Sequence, residues 1–168
     1  MGYVIRKMEQ VHIKQVQDVA KTTWNATYDG IIPLEVQENF LKSAYSEESM
    51  KRRLQHSNLF VAEVEEVVVG FANFSSVRED GKVELGAIYI YPKYHGKGIG
   101  SALLLEGMNK LDGVREIYIN VQKDNQVGKN FYEAKGFQYV KEFADTIGGL
   151  NIETVRMVLK VNKLQTTT

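Results

Sequence analysis

Residues 88–103 read IYIYPKYHGKGIGSAL. The first four residues end a predicted apolar strand over 82–91, and helical spacing of apolar residues runs from Ile99 to Leu111. A glycine-rich turn therefore joins a strand to a helix. The first backbone N–H groups of a helix have no partner within it and point outward along its axis. This junction therefore predicts a site for a phosphate or pyrophosphate group.

Three types of phosphate-binding loop can be compared with this turn. A Walker A loop needs Ser or Thr after its lysine, but Lys97 is followed by Gly98. The Rossmann pattern G-x-G-x-x-G, started at Gly96, needs a glycine where the chain has Ser101. The third type, the acetyl-CoA loop Q/R-x-x-G-x-G/A, matches residues 95–100 except that His95 takes the place of Gln or Arg. A glycine-rich turn without a ligand remains the structural alternative.

The elements around the turn follow from apolar periodicity and cap residues. Before it we predict a strand over 3–7, helices over 12–28 and 34–44, a helix capped by Ser46, and strands over 59–64 and 67–76 joined at Glu65-Glu66. After it we predict a strand over 116–121, a helix over 126–135 ended by Gly136, and strands over 137–144 and 151–159. This order predicts an α+β fold around one sheet, with a parallel strand–helix–strand unit in its second half.

Composition narrows the classes of function. The 168 residues include 43% hydrophobic and 25% charged residues, which is typical of a soluble globular protein. Lys plus Arg and Asp plus Glu both number 21, so no overall basic field favours nucleic acid or an anionic membrane. There is no cysteine, which excludes a thiol nucleophile, and the three histidines lack the spacing of metal ligands. Without an apolar signal or membrane segment, we expect a cytoplasmic protein with one domain over 1–161 and a tail over 162–168.

A second segment, DNQVGKNFYEAKGF over residues 124–137, makes the match to a known protein family more specific. With the glycine loop it makes the chain resemble the GNAT superfamily of acetyl-CoA-dependent N-acetyltransferases, whose corresponding segment is N-x-x-A-x-x-F-Y-x-x-x-G-F. Gly128 departs from the family's alanine, and we interpret it as space for the cofactor or a neighbouring chain. The N-terminal residues 24–28 and 31–33 resemble bacterial members that include polyamine acetyltransferases. The resemblance implies a mixed, mostly antiparallel sheet of about seven strands that splay into a V, flanked by helices.

The resemblance also implies where acetyl-CoA binds. The pyrophosphate would lie on the loop amides, the pantetheine arm would pair with strand backbone in the V, and a backbone N–H near Ile90 would polarise the thioester carbonyl. The predicted cofactor-binding residues are Ile88, Tyr89, Ile90, His95, Gly96, Lys97, Gly98, Ile99, Gly100, Ser101, Asn125 and Tyr132. Lys97 has a plain alternative as a solvated loop lysine.

Two residues are predicted to be catalytic. The resemblance makes Tyr132 the candidate acid for the leaving CoA thiolate, and helical spacing, which turns it about 100° from Phe131, favours a position in the site over one in the core. Glu84 is the candidate base for the acceptor amine. It lies on the strand that leads into the loop, where many relatives place a catalytic glutamate. The apolar run after Glu84 favours a raised pKa. The alternatives are a core aromatic for Tyr132 and an exposed strand-end glutamate for Glu84, with Tyr89, Asn73 and His95 as weaker bases.

The acceptor is expected to be a primary amine that attacks acetyl-CoA directly, and a small cationic amine such as a polyamine is the first candidate. Tyr28 and Glu84 are the predicted substrate contacts, whereas Trp24 is more readily interpreted as core. Five acidic residues favour a cation if they line the acceptor wall, but they can also be surface residues of helices: Asp29, Glu35, Glu38, Glu47 and Glu48.

Other readings remain open. The acceptor can instead be a protein N-terminus, an amino acid or an aminoglycoside. A non-catalytic acyl-CoA-binding sensor with the same fold is another alternative, and so is a nucleotide-binding module. Relatives are often dimers, so a homodimer is one expectation for the assembly.

Overall fold

The computed structural model of this chain describes residues 2–161, so the predicted tail over 162–168 lies outside the described residues. Strands and helices follow one another in the predicted order. In chain order they are β1 (Val4–Lys7), α1 (Ile13–Tyr28), α2 (Leu34–Ala44), α3 (Glu47–His56), β2 (Asn58–Val64), β3 (Val67–Phe74), β4 (Lys82–Ile90), α4 (Ile99–Lys110), β5 (Glu116–Gln122), α5 (Gln126–Ala134), β6 (Gln138–Ile147) and β7 (Leu150–Lys160). Short 3-10 turns at Gln10–His12 and Pro92–Tyr94 precede α1 and follow β4.

The strands form one seven-stranded sheet in the order β1-β2-β3-β4-β5-β7-β6. Neighbouring strands are antiparallel except β4 and β5, which are parallel and are connected through α4. This is the predicted parallel unit, because a parallel pair needs a crossover connection and a helix supplies it. The α+β class and the mixed, mostly antiparallel sheet are confirmed.

Local signals explain several boundaries. The Ser46 hydroxyl caps α3 by accepting a hydrogen bond from the Ser49 amide at 3.1 Å. Glu65 and Glu66 both have positive φ angles, 50° and 67°, which is what a two-residue hairpin turn with the favoured twist requires. Gly136 ends α5 with a φ of 97°, as its predicted left-handed cap conformation demands.

Helices cover both faces of the sheet. On one face α4 packs against β2, β3 and β4, in a cluster of buried residues that includes Phe74, Leu85 and Leu103. On the other face α1 packs against β3 and β4 through residues such as Val16, Phe71 and Ala87. Two apolar layers therefore enclose the central strands and hold β4 in the middle of the molecule.

The parallel strands β4 and β5 diverge along their length. Their last paired residues are Glu84 and Tyr118, although β4 continues to Ile90 and β5 to Gln122. A bulge at Gly86, where the β3–β4 register shifts, bends β4 just beyond that last pair. The result is the predicted V, open on the side where β4 runs into the glycine loop. None of the helices within residues 2–161 has both the length and the apolarity needed to cross a membrane.

Candidate active site

The glycine loop begins α4 in the way that the sequence predicts. Gly96 and Gly98 have φ angles of 77° and 84°, a left-handed conformation that glycine adopts without strain. Gly98 is the N-cap of α4, and its carbonyl accepts the first helical hydrogen bond, from the Ala102 amide at 3.0 Å. The amides of the first helical turn are therefore directed out of the helix, where they can bind an anion.

His95 fastens this loop to the end of β4. Its Nε2 lies 2.9 Å from the Ile90 carbonyl oxygen, and since a carbonyl only accepts, Nε2 carries the proton. The imidazole therefore holds the loop, as the Gln or Arg side chain of the motif can also do by donating a hydrogen bond. The departure from the motif leaves the loop geometry intact.

Inside the V, the end of β4 has backbone N–H and C=O groups that are not paired with β5. The Tyr91 amide donates to the Val69 carbonyl of β3 at 2.9 Å, so the backbone groups at that position point toward β3. Because successive residues of a strand direct their N–H and C=O groups to opposite sides, those of Ile88 and Ile90 point toward the side of β5. There β5 has already diverged, so an extended ligand with amide groups can pair with this edge.

The start of α5 forms the opposite wall. The Asn125 side chain caps α5, with Oδ1 accepting a hydrogen bond from the Gly128 amide at 2.9 Å. A Cβ at Gly128 would lie 2.7 Å from Nδ2 of the same Asn125. The glycine therefore leaves room for the capping side chain, and because it also lines the cleft, its interpretation as space for the cofactor stays a prediction.

Aromatic side chains form the part of the site that α1 contributes. Trp24 stacks on Phe40 with ring centroids 4.4 Å apart and contacts Tyr28 at 4.7 Å. Its indole Nε1 donates a hydrogen bond to the Tyr89 hydroxyl at 3.0 Å. Trp24 is buried, as expected for a core residue, but its ring also borders the site.

The tyrosines here are held in their neutral form. Burial raises the pKa of Tyr132, and the neighbouring Tyr28 phenol raises it further. Burial also places the pKa of Tyr89 well above its ordinary value. For Tyr28 burial again dominates in raising the pKa, although a hydrogen bond with Asn125 partly offsets it. At neutral pH these hydroxyl groups are therefore hydrogen-bond donors and not phenolates.

All these parts meet in one cleft of about 600 Å³. Every predicted cofactor-binding residue lines it except Lys97, which is exposed on the outside of the loop. The predicted substrate contact Tyr28 lines it as well. The glycine loop, the open edge of β4 and an aromatic wall formed by Trp24 and Tyr28 of α1 thus form one continuous surface. This surface can hold a long, flexible ligand with a pyrophosphate group.

Sequence reasoning did not single out several other lining residues. They are Thr23, Thr27, Tyr94, Val127, Asn130, Phe131, Ala134 and Lys135. A signal existed for the α1 residues, since Thr23 and Thr27 have the same i, i+4 spacing as Trp24 and Tyr28. The helical angle between Phe131 and Tyr132 did not separate a core residue from a site residue, because both rings reach the cleft.

Glu84 lies outside this lining. Both of its carboxylate oxygens accept hydrogen bonds from the Arg156 guanidinium, at 3.0 and 2.6 Å, and Arg78 lies 3.9 Å away. The apolar surroundings expected from the following residues are absent because the side chain turns toward these two cations. The acidic residues over 29–48 are exposed and also lie outside the cleft lining.

Comparisons with known proteins agree with this geometry. The sequence model of the acetyltransferase (GNAT) family matches residues 16–137. A spermidine N(1)-acetyltransferase of Thermoplasma acidophilum is 32% identical over 146 residues, which cover 82% of this chain and 89% of that protein. The uncharacterized N-acetyltransferase YuaI of Bacillus subtilis is 28% identical over 157 residues, covering 88% of this chain and 89% of that protein. The crystal structure of PaiA N-acetyltransferase from Thermoplasma acidophilum with coenzyme A has a TM-score of 0.84 at 28% identity, covering 95% of this chain and 99% of that one.

Proposed function

This chain belongs to the acetyltransferase (GNAT) family, and we propose that its acceptor is a small cationic amine of the polyamine class. It is an N-acetyltransferase that uses acetyl-CoA as its acetyl donor. The relative that acts on spermidine shares 32% of its residues with this chain, which supports the same class of acceptor.

The aromatic wall that α1 contributes is the structural observation that carries this proposal. Trp24 and Tyr28 line the cleft together with Tyr89 and Tyr132, which lie in the same part of the site. Ring faces cover the methylene groups of an alkyl chain, and they attract an ammonium group by a cation–π interaction. A polyamine offers both groups, since one amine reacts while a second remains charged.

The donor would be held by the backbone of the loop and the strand. We place its pyrophosphate on the amides of residues 98–101 and its amide-containing arm along the edge of Ile88 and Ile90. The Ile90 N–H then points toward the thioester carbonyl and stabilises the negative charge that develops there during attack. The nitrogen of the neutral amine forms the new C–N bond, the C–S bond breaks, and CoA leaves as a thiolate.

Tyr132 is the proposed donor to that thiolate. A thiol has an ordinary pKa of about 8.5, below that of the buried phenol, so complete proton transfer from Tyr132 alone is uphill. A hydrogen bond from the phenol stabilises the thiolate until the proton lost by the amine reaches it. The raised pKa of Tyr132 suits this role because the hydroxyl never ionises at working pH.

The acceptor must also lose a proton. An alkyl amine with a pKa near 10.4 needs about 4–5 kcal/mol to become neutral at pH 7. Glu84 remains a predicted base, but because it lies outside the cleft lining, the geometry favours transfer of the amine proton to water in the cleft. The variants in the next subsection test whether Glu84 takes part in this proton transfer.

An amine panel tests the proposed acceptor. The purified protein is given acetyl-CoA with spermidine, putrescine, an amino acid, an aminoglycoside or a peptide with a free N-terminus. CoA release is measured with a thiol reagent, to which the protein contributes no background because it has no cysteine. We expect kcat/KM to be at least about tenfold higher for the polyamines than for the other classes.

A matched pair of amines tests the second charge. Butylamine has the carbon chain of putrescine with only one amino group, so it lacks the ammonium that the rings would attract. We expect putrescine to react faster than butylamine, and equal rates would remove the cation–π argument. A preference for the peptide amine would assign the protein to N-terminal acetylation instead.

A further inference from the structure

The Arg156 side chain of β7 reaches across β5 to β4. Its two terminal nitrogens donate to both carboxylate oxygens of Glu84, at 3.0 and 2.6 Å. One of them also donates to the Asn120 side chain of β5 at 2.9 Å. The guanidinium carbon lies 4.6 Å from the centre of the Tyr118 ring. One side chain therefore joins three strands of the sheet.

This contact lies where the V begins. Glu84 and Tyr118 are the last pair that β4 and β5 form, and the bulge at Gly86 follows two residues later. The Arg156 side chain covers Tyr118, on the β5 side of that pair, while it holds Glu84 on the β4 side. Beyond this position the register of β4 and β5 contains no further pair to keep the strands at a fixed angle.

Glu84 is also fixed by the strand on its other side. Its amide donates to the Ser75 hydroxyl at 2.9 Å, and its carbonyl accepts a hydrogen bond from the Ser75 amide at 2.8 Å. The Arg156 and Glu84 side chains are 20% and 37% exposed, so the pair is partly shielded from solvent. A two-pronged arginine–carboxylate contact of this kind fixes direction as well as distance.

We propose that Arg156 is a positioning residue that acts through Glu84 to fix the angle at which β4 and β5 diverge, and so the width of the cleft that receives the arm of acetyl-CoA. The proposal rests on the placement of that arm in the V. It gives Glu84 a positioning role in place of the predicted basic one. A base must reach the acceptor in the cleft, whereas Glu84 lies outside the cleft lining and its carboxylate is directed toward Arg156.

Affinity for CoA alone tests this role without any acceptor amine. Binding is measured by calorimetry for the wild type, Arg156→Met, Glu84→Gln and the double variant. We expect each single variant to bind CoA roughly three- to tenfold more weakly, a typical effect of changes that act through a packed network. The double variant should be no weaker than the singles, because both changes break the same contact.

Steady-state kinetics supplies the second readout. The KM for acetyl-CoA should rise in both single variants, and in Arg156→Met kcat at saturating acetyl-CoA should stay near the wild-type value. Glu142→Gln is the matched control, since it removes the Lys123–Glu142 ion pair of 2.8 Å on the same sheet, away from the vertex of the V. That control should leave CoA affinity unchanged.

The basic role of Glu84 predicts a different pattern. Glu84→Gln would then lower kcat most at low pH, where the free amine is scarce, and Arg156→Met would leave CoA affinity unchanged. That pattern would overturn the proposal. If Arg156→Met does not fold, Arg156→Lys keeps the charge without the two-pronged contact and should show an intermediate loss of CoA affinity. An error in the proposed acceptor would leave all the CoA measurements as they are, so the two proposals fail separately.

Discussion

The Tyr132 hydroxyl keeps its proton at neutral pH, as any phenol with a pKa of about 10 or more does, and burial raises its pKa further. We expect Tyr132→Phe to lower kcat without changing CoA affinity, since the ring keeps its packing and only the donor to the thiolate is lost. The fall should be roughly 10- to 100-fold, which corresponds to about 1.5–3 kcal/mol for a hydrogen bond to a charged group. Saturation kinetics and CoA calorimetry on the same sample measure the two quantities.

Tyr139→Phe is the control for this change. Tyr139 is 62% exposed on β6, and its variant removes the same hydroxyl group from a residue outside the cleft lining. Its kinetics should match those of the wild type. If Tyr132→Phe also turns over at the wild-type rate, another group stabilises the thiolate.

For single residues, the sequence predicted the chemical role of a side chain better than the contacts that the side chain makes. The loop glycines, Asn125 and Tyr132 were found because their motifs combine spacing with residue type. The partner of Glu84 was not, because Arg156 is 72 positions away and is brought to it only by the order of strands in the sheet. The contact of Gly128 with the capping side chain was missed because it depends on the rotamer of Asn125, which no local pattern specifies.

At the level of elements, two glycine variants distinguish the role of the α4 loop in CoA binding from the stability cost of changing its backbone conformation. Gly98 and Gly113 both have positive φ angles, 84° and 78°, and both are exposed, but only Gly98 lines the cleft. Alanine at either site costs roughly 1–2 kcal/mol of stability, because a left-handed conformation crowds its Cβ. We expect similar falls in melting temperature for Gly98→Ala and Gly113→Ala, but weaker CoA binding for Gly98→Ala alone.

Calorimetry and melting curves on the two variants decide the point. If both variants bind CoA with the wild-type affinity and keep their fold, the Gly98 backbone does not approach the pyrophosphate. A loss of affinity in both would mean that strain alone, and not the position of Gly98, accounts for the effect.

Elements with one buried face were predicted most accurately from the sequence. The helix over Leu34–Ala44 has the predicted bounds because its apolar spacing stops where the chain turns toward Ser46. Strand β6 runs to Ile147, three residues beyond the predicted end at Ala144. Its residues are mostly exposed on both faces, so the polar Asp145 and Thr146 gave no alternation from which to continue the strand.

For the whole molecule, neither the V nor the aromatic wall follows from local patterns. The divergence of β4 and β5 depends on a bulge in one strand and a helix on each face, so only the family resemblance predicted it. The wall needs α1 to cross the sheet beside the V, where Trp24 is buried among its neighbours and still borders the cleft. Burial and a role in the site are therefore compatible, and the interpretation of Trp24 as a core residue was correct but incomplete.

Four tyrosines, of which Tyr45 is buried and the other three are partly buried, make the stability of the molecule depend on pH in the alkaline range. Burial raises the pKa of Tyr28, Tyr45, Tyr89 and Tyr132 in the folded state. Below pH 10 these phenols are neutral in both states, so they add no pH dependence. Above pH 10 the unfolded chain loses their protons and the folded chain keeps them, so the free energy of unfolding falls as pH rises toward the folded-state values.

Each such tyrosine contributes up to about 1.4 kcal/mol per pH unit in that range, so the four together contribute at most about 5.5 kcal/mol per pH unit. Urea unfolding between pH 8 and 11, followed through the fluorescence of the single tryptophan, measures this slope. Tyr89→Phe should make the decline shallower by up to about 1.4 kcal/mol per pH unit, whereas Tyr139→Phe, which removes an exposed phenol, should leave it unchanged. An equal slope in wild type and Tyr89→Phe would mean that Tyr89 ionises as readily in the folded protein as in the unfolded chain. The tyrosines around the cleft would then be accessible to water at alkaline pH, whereas at neutral pH even a phenol with the ordinary pKa of about 10 keeps its proton, so the donor role of Tyr132 has to be tested by its own variant.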